Sequence, residues 1–260
     1  MKDTQLVFVV GSGRCGTKMI KSLLAGTGIE ARHEYVRNAY QRESAMYYMG
    51  SLSYDEMAGK LREISEPAAY YSQSKIFLDS SQHLTWCVDV LADVFPDAKF
   101  IHLVRDGRKV VSSYFYKLNL FDDYANNVMW NWVKNGGIIP PREEKFWMPS
   151  YGEKFDRICR HWVSSNHAAW MHLKNVSSIF VRLEDLATSS ETMNEFLSLL
   201  DIPYNGSFLE AMQKPKHVYT PINYKLTDEQ TERFAVICGD MMKLLGYDME
   251  SEEYLVHYQM

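Results

Sequence analysis

The sequence lacks a long apolar run near its start. The apolar stretch from Leu6 to Val10 has five residues, which is too short for the core of a signal peptide or for a helix that crosses a membrane. The sequence also lacks an excess of positive charge, since its formal net charge is -5 at pH 7. Proteins that bind nucleic acid or anionic membranes need a broad basic surface. We therefore expect a cytoplasmic protein with no nucleic-acid partner and no integral membrane association.

Cysteine is scarce and widely spaced. The four cysteines are Cys15, Cys87, Cys159 and Cys238. They form no C-x-x-C pair, so the sequence offers neither a zinc site nor a disulfide framework. We expect reduced thiols and no bound metal.

Short strands alternating with helical patterns indicate an α/β fold with a central parallel sheet flanked by helices. The strand-like runs are LVFVV (6–10), FIHLV (100–104) and IFVRL (179–183). Thr227 and Gln230 have the spacing of a capping box at the start of a late helix. With 260 residues, we expect one domain over 1–260, in which the tryptophan-rich segment 119–153 is a lid or a substrate-binding insertion.

A glycine-rich loop follows the first strand and leads into a helix. It reads Gly11-Ser12-Gly13-Arg14-Cys15-Gly16-Thr17-Lys18. Glycines let the backbone turn around an anion, and the start of the following helix adds partial positive charge. Two cations clustered in such a loop are costly unless an anion neutralises them, so the loop indicates a site for phosphate or a similar group.

Two other enzyme classes use a comparable loop. A nucleotide kinase has G-x-x-x-x-G-K-[ST], with the lysine directly after the last glycine, whereas Lys18 is displaced by one position here. A cysteine phosphatase needs an arginine six positions after its cysteine, but Lys21 stands there after Cys15.

The segment GSGRCGTK resembles the 5′-phosphosulfate-binding loop of sulfotransferases that use 3′-phosphoadenosine 5′-phosphosulfate (PAPS), usually G-x-x-[RK]-S-G-T-[TS]. The resemblance implies a P-loop-NTPase-like sulfotransferase fold, PAPS as co-substrate and catalytic roles for Arg14 and Lys18. This sequence departs from the family pattern at Cys15, usually Ser, and at Lys18, usually Thr. The cofactor-binding residues that the resemblance implies in this loop are Gly13, Arg14, Cys15, Gly16, Thr17 and Lys18.

Two further segments carry the same resemblance. Residues 95–114 resemble the family's 3′-phosphate-binding pattern F-P-x-A-K-F-[IV]-x-L-[VL]-R-[DN]-x-R-x-x-x-x-S. The match implies that Arg105 and Ser113 bind the 3′-phosphate. Residues 181–204 resemble a strand end and helix that begin [LI]-x-Y-E-D-L, with Leu183 in place of the tyrosine that contacts adenine. The carboxylates that follow, Glu184 and Asp185, are expected to be structural, since carboxylates favour helix starts.

An acceptor hydroxyl would need a general base, and the sequence leaves four candidates. Glu34 lies about twenty residues after the loop cation, where short members of the family have a catalytic glutamate. His33 is its neighbour, while Asp79 and His83 lie in a segment that aligns with the loop carrying a catalytic histidine in steroid and phenol sulfotransferases. We favour Glu34 and keep His83 as the rival.

The resemblance implies transfer of a sulfuryl group to a hydroxyl or amine of a small-molecule, glycan or lipid acceptor. A small-molecule or nucleotide kinase and a non-catalytic nucleotide-binding protein of the same fold remain alternatives. The acceptor and the oligomeric state, a homo-oligomer included, stay open at this point.

Overall fold

The computed structural model describes residues 4–117, 153–213 and 225–252. Five parallel strands form one central sheet in the order β2-β3-β1-β4-β5. The strands are β1 (Gln5–Val10), β2 (Glu30–His33), β3 (Ile76–Ser80), β4 (Lys99–Val104) and β5 (Ser178–Arg182).

Helices flank this sheet, and together with its parallel strands they confirm the predicted α/β class. A 3₁₀ turn covers His83–Cys87, and a π-helical turn covers Ser113–Lys117. The α-helices of the described ranges are α1 (Thr17–Leu23), α2 (Arg37–Tyr48), α3 (Tyr54–Tyr71), α4 (Val88–Val94), α5 (Gly107–Ser112), α6 (Lys154–His172), α7 (Leu183–Thr188), α8 (Ser190–Leu199), α9 (Ser207–Gln213) and α10 (Asp228–Leu244).

Strand β1 lies at the centre of the sheet and divides the core into two layers. Leu6 and Phe8 pack into the layer beneath α3 and α4, whereas Val7 and Val9 pack into the layer beneath α1 and α8. This alternation is the period of two that a strand with both faces covered requires. The loop after β1 is therefore anchored on a strand that cannot shift without disturbing both layers.

The three predicted strands and the late helix are confirmed. Thr227 Oγ1 accepts a hydrogen bond from the Gln230 amide at 3.2 Å, and Gln230 Oε1 accepts one from the Thr227 amide at 3.0 Å, which completes the capping box of α10. The sequence reasoning did not find β2, because its four residues Glu-Ala-Arg-His are only partly buried at the edge of the sheet. It treated residues 77–83 as a loop, but the first part of that segment is β3, a run of five buried residues.

All four cysteines are buried free thiols. The proposed lid over 119–153 falls almost entirely outside the described residues, so its role stays a prediction. In the described ranges, no helix is long and apolar enough to cross a membrane, and no cluster of His, Cys, Asp and Glu side chains has the arrangement of a metal site.

Candidate functional site at the carboxyl edge of the sheet

Contacts at Gly11 and at Gly16 fix the shape of the loop between β1 and α1. The Gly11 amide donates to Thr85 Oγ1 at 2.8 Å, and the same hydroxyl donates to the Gly11 carbonyl at 2.9 Å. Gly16 has φ +105°, and a Cβ atom there would lie 2.9 Å from Leu183 Cδ1. Position 16 therefore requires glycine both for its left-handed backbone and for its close contact with α7.

Gly13 lies at the most crowded point of the loop. A Cβ atom at this residue would lie 1.7 Å from the Tyr114 hydroxyl and 1.8 Å from Gln82 Oε1. These two side chains are themselves joined by a hydrogen bond of 3.2 Å from the Tyr114 hydroxyl to Gln82 Oε1. The backbone near Gly13 thus fits closely against a fixed pair of polar groups, as expected for a preformed anion-binding loop.

The two motifs that the sequence analysis treats separately meet in space. Arg14 Nε donates to Ser113 Oγ at 2.9 Å, and Arg105 Nη1 donates to the Arg14 carbonyl at 3.1 Å. Arg14 itself has φ +68°, which is uncommon for a residue with a side chain. The glycine-rich loop and the turn after β4 therefore form one continuous surface.

This surface carries three cations that lack a carboxylate partner. Arg14 and Lys18 are exposed and Arg105 is half-buried. Within the described ranges, none of these three side chains has an Asp or Glu oxygen within ion-pair distance. The protein as a whole carries a net charge of -5, so the positive charge here is local.

Cys15 is a structural residue of the loop. Burial raises the pKa of its thiol to about 12, so the sulfur stays protonated at physiological pH. A cysteine phosphatase needs an accessible thiolate. The environment of Cys15 removes that alternative.

The four candidate bases lie together at the ends of β2 and β3. Glu34 has φ +52°, and its amide donates to the Ser80 carbonyl at 3.2 Å. His33 Nδ1 lies 2.8 Å from the same carbonyl oxygen, which accepts the Nδ1 proton. His83 Nε2 lies 3.5 Å from Glu34 Oε1. Arg32, a nearby cation, pairs with Glu30 at 2.7 Å.

These candidates differ in how much of the side chain a substrate could reach. The side chain of Glu34 is 13% exposed, whereas that of His83 is 1% exposed. The Gln41 amide nitrogen lies 3.0 Å from His83 Nε2, and since an amide nitrogen donates, this ring nitrogen accepts in the neutral imidazole. Glu34 is thus more accessible than His83, which lies behind it, and His33 is half-buried as well.

Asp79 is a buried carboxyl group beside Glu34. Its Oδ1 atom accepts the Tyr35 amide at 3.2 Å, and Oδ2 has no hydrogen-bond partner among the residues the structure describes. Burial, reinforced by the negative charge of Glu34, raises the pKa of Asp79 to about 7. With 1% of its surface exposed, Asp79 supports the turn at Glu34 and Tyr35 from below.

Comparison with known proteins identifies the fold and the family. A family model described as "Sulfotransferase family" matches residues 28–206. The chain belongs to the sulfotransferase family. The matched range includes Glu34, Asp79, His83, Arg105 and Ser113 but not the glycine-rich loop.

Solved structures agree with this assignment at the level of fold. The sulfotransferase is similar to the "Sulfotransferase Domain from the Curacin Biosynthetic Pathway", with a TM-score of 0.55 and 13% identity over 95% of this chain and 99% of that one. It is also similar to a sulfotransferase from Alicyclobacillus acidocaldarius, with a TM-score of 0.51 and 11% identity over 98% of both chains. The comparison with curated protein sequences finds no match.

Sequence reasoning missed three residues that shape the sulfotransferase site. Tyr114 and Gln82 enclose Gly13, and Thr85 fastens Gly11. Tyr114 directly follows Ser113, and Gln82 directly precedes His83, so adjacency to the motifs was a signal for both. Thr85 has no such signal, because its role depends on the 3₁₀ turn that brings it under β1.

Proposed function

We propose that this sulfotransferase transfers the sulfuryl group of PAPS to a hydroxyl, or an amine, of a small-molecule, glycan or lipid acceptor. The observation that carries this proposal is that Arg14, Lys18 and Arg105, which lie in the glycine-rich loop or directly after β4, have no carboxylate partner among the described residues. Arg105 donates to the Arg14 carbonyl at 3.1 Å, so these two residues are in contact, and an anionic ligand with two phosphate-containing ends would neutralise their charge and that of Lys18. The side chains of Tyr114 and Gln82 pack against Gly13 and hold the loop in a fixed shape, which favours a preformed site.

Arg14 and Lys18 serve the phosphosulfate end of the ligand, and Arg105 and Ser113 serve its 3′-phosphate. A planar guanidinium can donate to two oxygens of a monoester phosphate at once. When bound, PAPS supplies a sulfur atom whose bond to the bridging phosphate oxygen breaks as the acceptor attacks, releasing adenosine 3′,5′-bisphosphate. Arg14 and Lys18 stabilise the negative charge that then grows on the departing phosphate. The binding residues Gly13, Cys15, Gly16 and Thr17 contribute through the backbone of the loop.

Glu34 takes the proton from the acceptor hydroxyl. Its side chain is 13% exposed, whereas His83 is buried and its Nε2 lone pair faces Gln41. Burial raises the pKa of the Tyr114 hydroxyl, and the charges of Arg14 and Glu34 shift it in opposite directions, so this hydroxyl is near both residues. His83 therefore lies behind Glu34 and is the less accessible candidate, and segment 119–153 of the single domain is assigned as a lid or a substrate-binding insertion for the acceptor.

Thermal unfolding with two nucleotides tests the proposal. Adenosine 3′,5′-bisphosphate at ~100 times its Kd should raise the free energy of unfolding by about 2.7 kcal/mol. ATP with magnesium should give a much smaller shift, since it lacks the 3′-phosphate that Arg105 and Ser113 would bind. An equal or larger shift with ATP would support a kinase instead. Turnover of radiolabelled PAPS with a panel of alcohols, phenols, sugars and amines separates an enzyme from a non-catalytic binding protein.

A further inference from the structure

Glu184 joins the turn after β4 to the chain beyond α10. Its Oε1 atom accepts the backbone amide of Asp106 at 3.2 Å, and its Oε2 atom accepts the Tyr247 hydroxyl at 2.9 Å. Burial and the charge of Glu184 raise the pKa of Tyr247, so its hydroxyl keeps the proton that it donates. Asp106 directly follows Arg105. Tyr247, near the end of the described residues, is therefore linked through the side chain of Glu184 to the backbone next to Arg105.

Arg108 fastens the same terminal segment to the first turn of α5. Its guanidinium forms two hydrogen bonds with the Asp106 carboxylate, at 3.1 and 2.7 Å. It also donates to the carbonyls of Asp248, Met249 and Ser251 at 3.0, 2.8 and 2.9 Å. Arg108 and Asp106 are both buried. The segment 246–251, which we call the terminal brace, is thus bound by charge-assisted hydrogen bonds rather than by loose surface contact.

Arg182 fixes the position of Tyr247 within the terminal brace. It donates to the Gly246 carbonyl, pairs with Asp185 at 2.6 Å and lies over the Tyr247 ring at 5.5 Å from its centre. Gly246 has φ +76°, which turns the chain sharply after α10. Arg182 and the turn at Gly246 therefore both hold the Tyr247 hydroxyl toward Glu184.

The position of Glu184 near Arg105 explains why its carboxylate needs both the Asp106 amide and the Tyr247 hydroxyl as partners. Glu184 accepts the amide of Asp106, the residue after Arg105, so it lies near the proposed 3′-phosphate subsite. Burial, reinforced by the charge of Arg105, lowers the pKa of the neighbouring Lys109 to about 8, and the charge of Glu184 opposes that shift. A carboxylate free to turn toward that subsite would repel a phosphate. With one oxygen on an amide and the other on the Tyr247 hydroxyl, the carboxylate is directed at the protein instead.

We propose that Tyr247, acting through Glu184, is a positioning residue for Arg105 and contributes to selectivity for a 3′-phosphorylated nucleotide. The Asp106 N–H and the Arg105 carbonyl belong to one planar peptide group, so the Glu184 hydrogen bond fixes the backbone from which the Arg105 side chain extends. This inference rests on the proposed function of Arg105. It assigns the terminal brace a role in cofactor recognition without any contact with the cofactor.

The test uses Tyr247→Phe in the full chain, with binding measured by calorimetry. Loss of the hydroxyl should weaken adenosine 3′,5′-bisphosphate binding roughly five- to tenfold, which is less than the ~10- to 150-fold of a direct hydrogen bond to a charged group because Tyr247 acts only through Glu184. Adenosine 5′-monophosphate, which lacks the 3′-phosphate, should bind with unchanged affinity. The matched control is Tyr54→Phe, which removes a hydroxyl that donates to Asp93 at 2.8 Å on the surface and should change neither affinity.

Arg105→Ala and the double variant separate this inference from the proposed function. If Arg105→Ala weakens both nucleotides equally, the 3′-phosphate subsite is wrong and the inference falls with it. If Arg105→Ala is selective for the bisphosphate but Tyr247→Phe is not, only the positioning role is wrong. The inference predicts that Tyr247→Phe has no further effect in the Arg105→Ala background. Should Tyr247→Phe fail to fold, Glu184→Gln applies the same selectivity test, and a nonselective loss there overturns the inference.

Discussion

Replacing Glu34 by glutamine keeps the size of the side chain and removes its ability to take a proton. General-base catalysis contributes typically ~10² to 10⁴ in rate, so kcat should fall by about 10² or more, which corresponds to about 2.7 kcal/mol of transition-state stabilisation. Because glutamine keeps the shape of the side chain and one oxygen acceptor, we expect the variant to fold. Urea unfolding of the variant beside the wild type checks this.

The assay follows initial rates of transfer from radiolabelled PAPS to an alcohol, because a neutral amine needs less help from a base. The rise of kcat/KM with pH should disappear in Glu34→Gln, while the Kd for adenosine 3′,5′-bisphosphate should stay nearly constant. Glu63→Gln is a matched control, since Glu63 is an exposed glutamate that pairs with Lys60 at 2.8 Å on the surface of α3. It should leave rate and affinity unchanged.

Variants of Glu34 and His83, assayed in parallel, show which of the two residues is the base. If Glu34→Gln keeps near-normal turnover while His83→Gln is inactive, the reasoning from accessibility is refuted and His83 is the base. Loss of turnover in both, with the pH limb absent only in Glu34→Gln, supports a base at Glu34 and a structural role for the buried His83 beside it.

Three further substitutions test the surroundings of the site. Asp79→Asn should stabilise the fold relative to the wild type, and increasingly so as pH rises from the ordinary carboxyl pKa of 3.8 to about 7. In that window the native wild type retains a proton that its unfolded state releases, so wild-type stability falls as pH rises. Urea unfolding at several pH values measures the difference. Thr85→Val should cost about 1–3 kcal/mol in urea unfolding, since it leaves the buried Gly11 amide without its partner. Gly13→Ala should displace Tyr114, lower unfolding stability by about 1–3 kcal/mol and weaken bisphosphate binding, as calorimetry would show; unchanged affinity would contradict the close fit at Gly13.

Strong local patterns made much of the fold predictable. The strand–loop–helix around Gly11 and the strand leading to Arg105 each combine a buried apolar run with turn residues at fixed offsets. The edge strand β2 carries no such pattern, because half-buried positions tolerate Glu, Arg and His alike.

The candidate site was only partly predictable because its contacts cross long distances in sequence. The sequence indicated Arg14 and Ser113 separately, but their hydrogen bond spans 99 residues. The link from Tyr247 through Glu184 to Asp106 depends on where α10 ends and how the chain turns at Gly246. No spacing rule encodes such a contact, since the helix packing sets it.

The parallel sheet has a practical consequence for labelling this protein. Its strands all run the same way, so the candidate site residues gather at the carboxyl ends of the strands, and none of them lies at the opposite edge of the described sheet. Lys75, exposed just before β3, stands at that opposite edge, roughly 16 Å along the strand from Ser80 at its carboxyl end. A fluorophore or a solid support attached there would report on the enzyme or immobilise it while leaving the catalytic side open to solution.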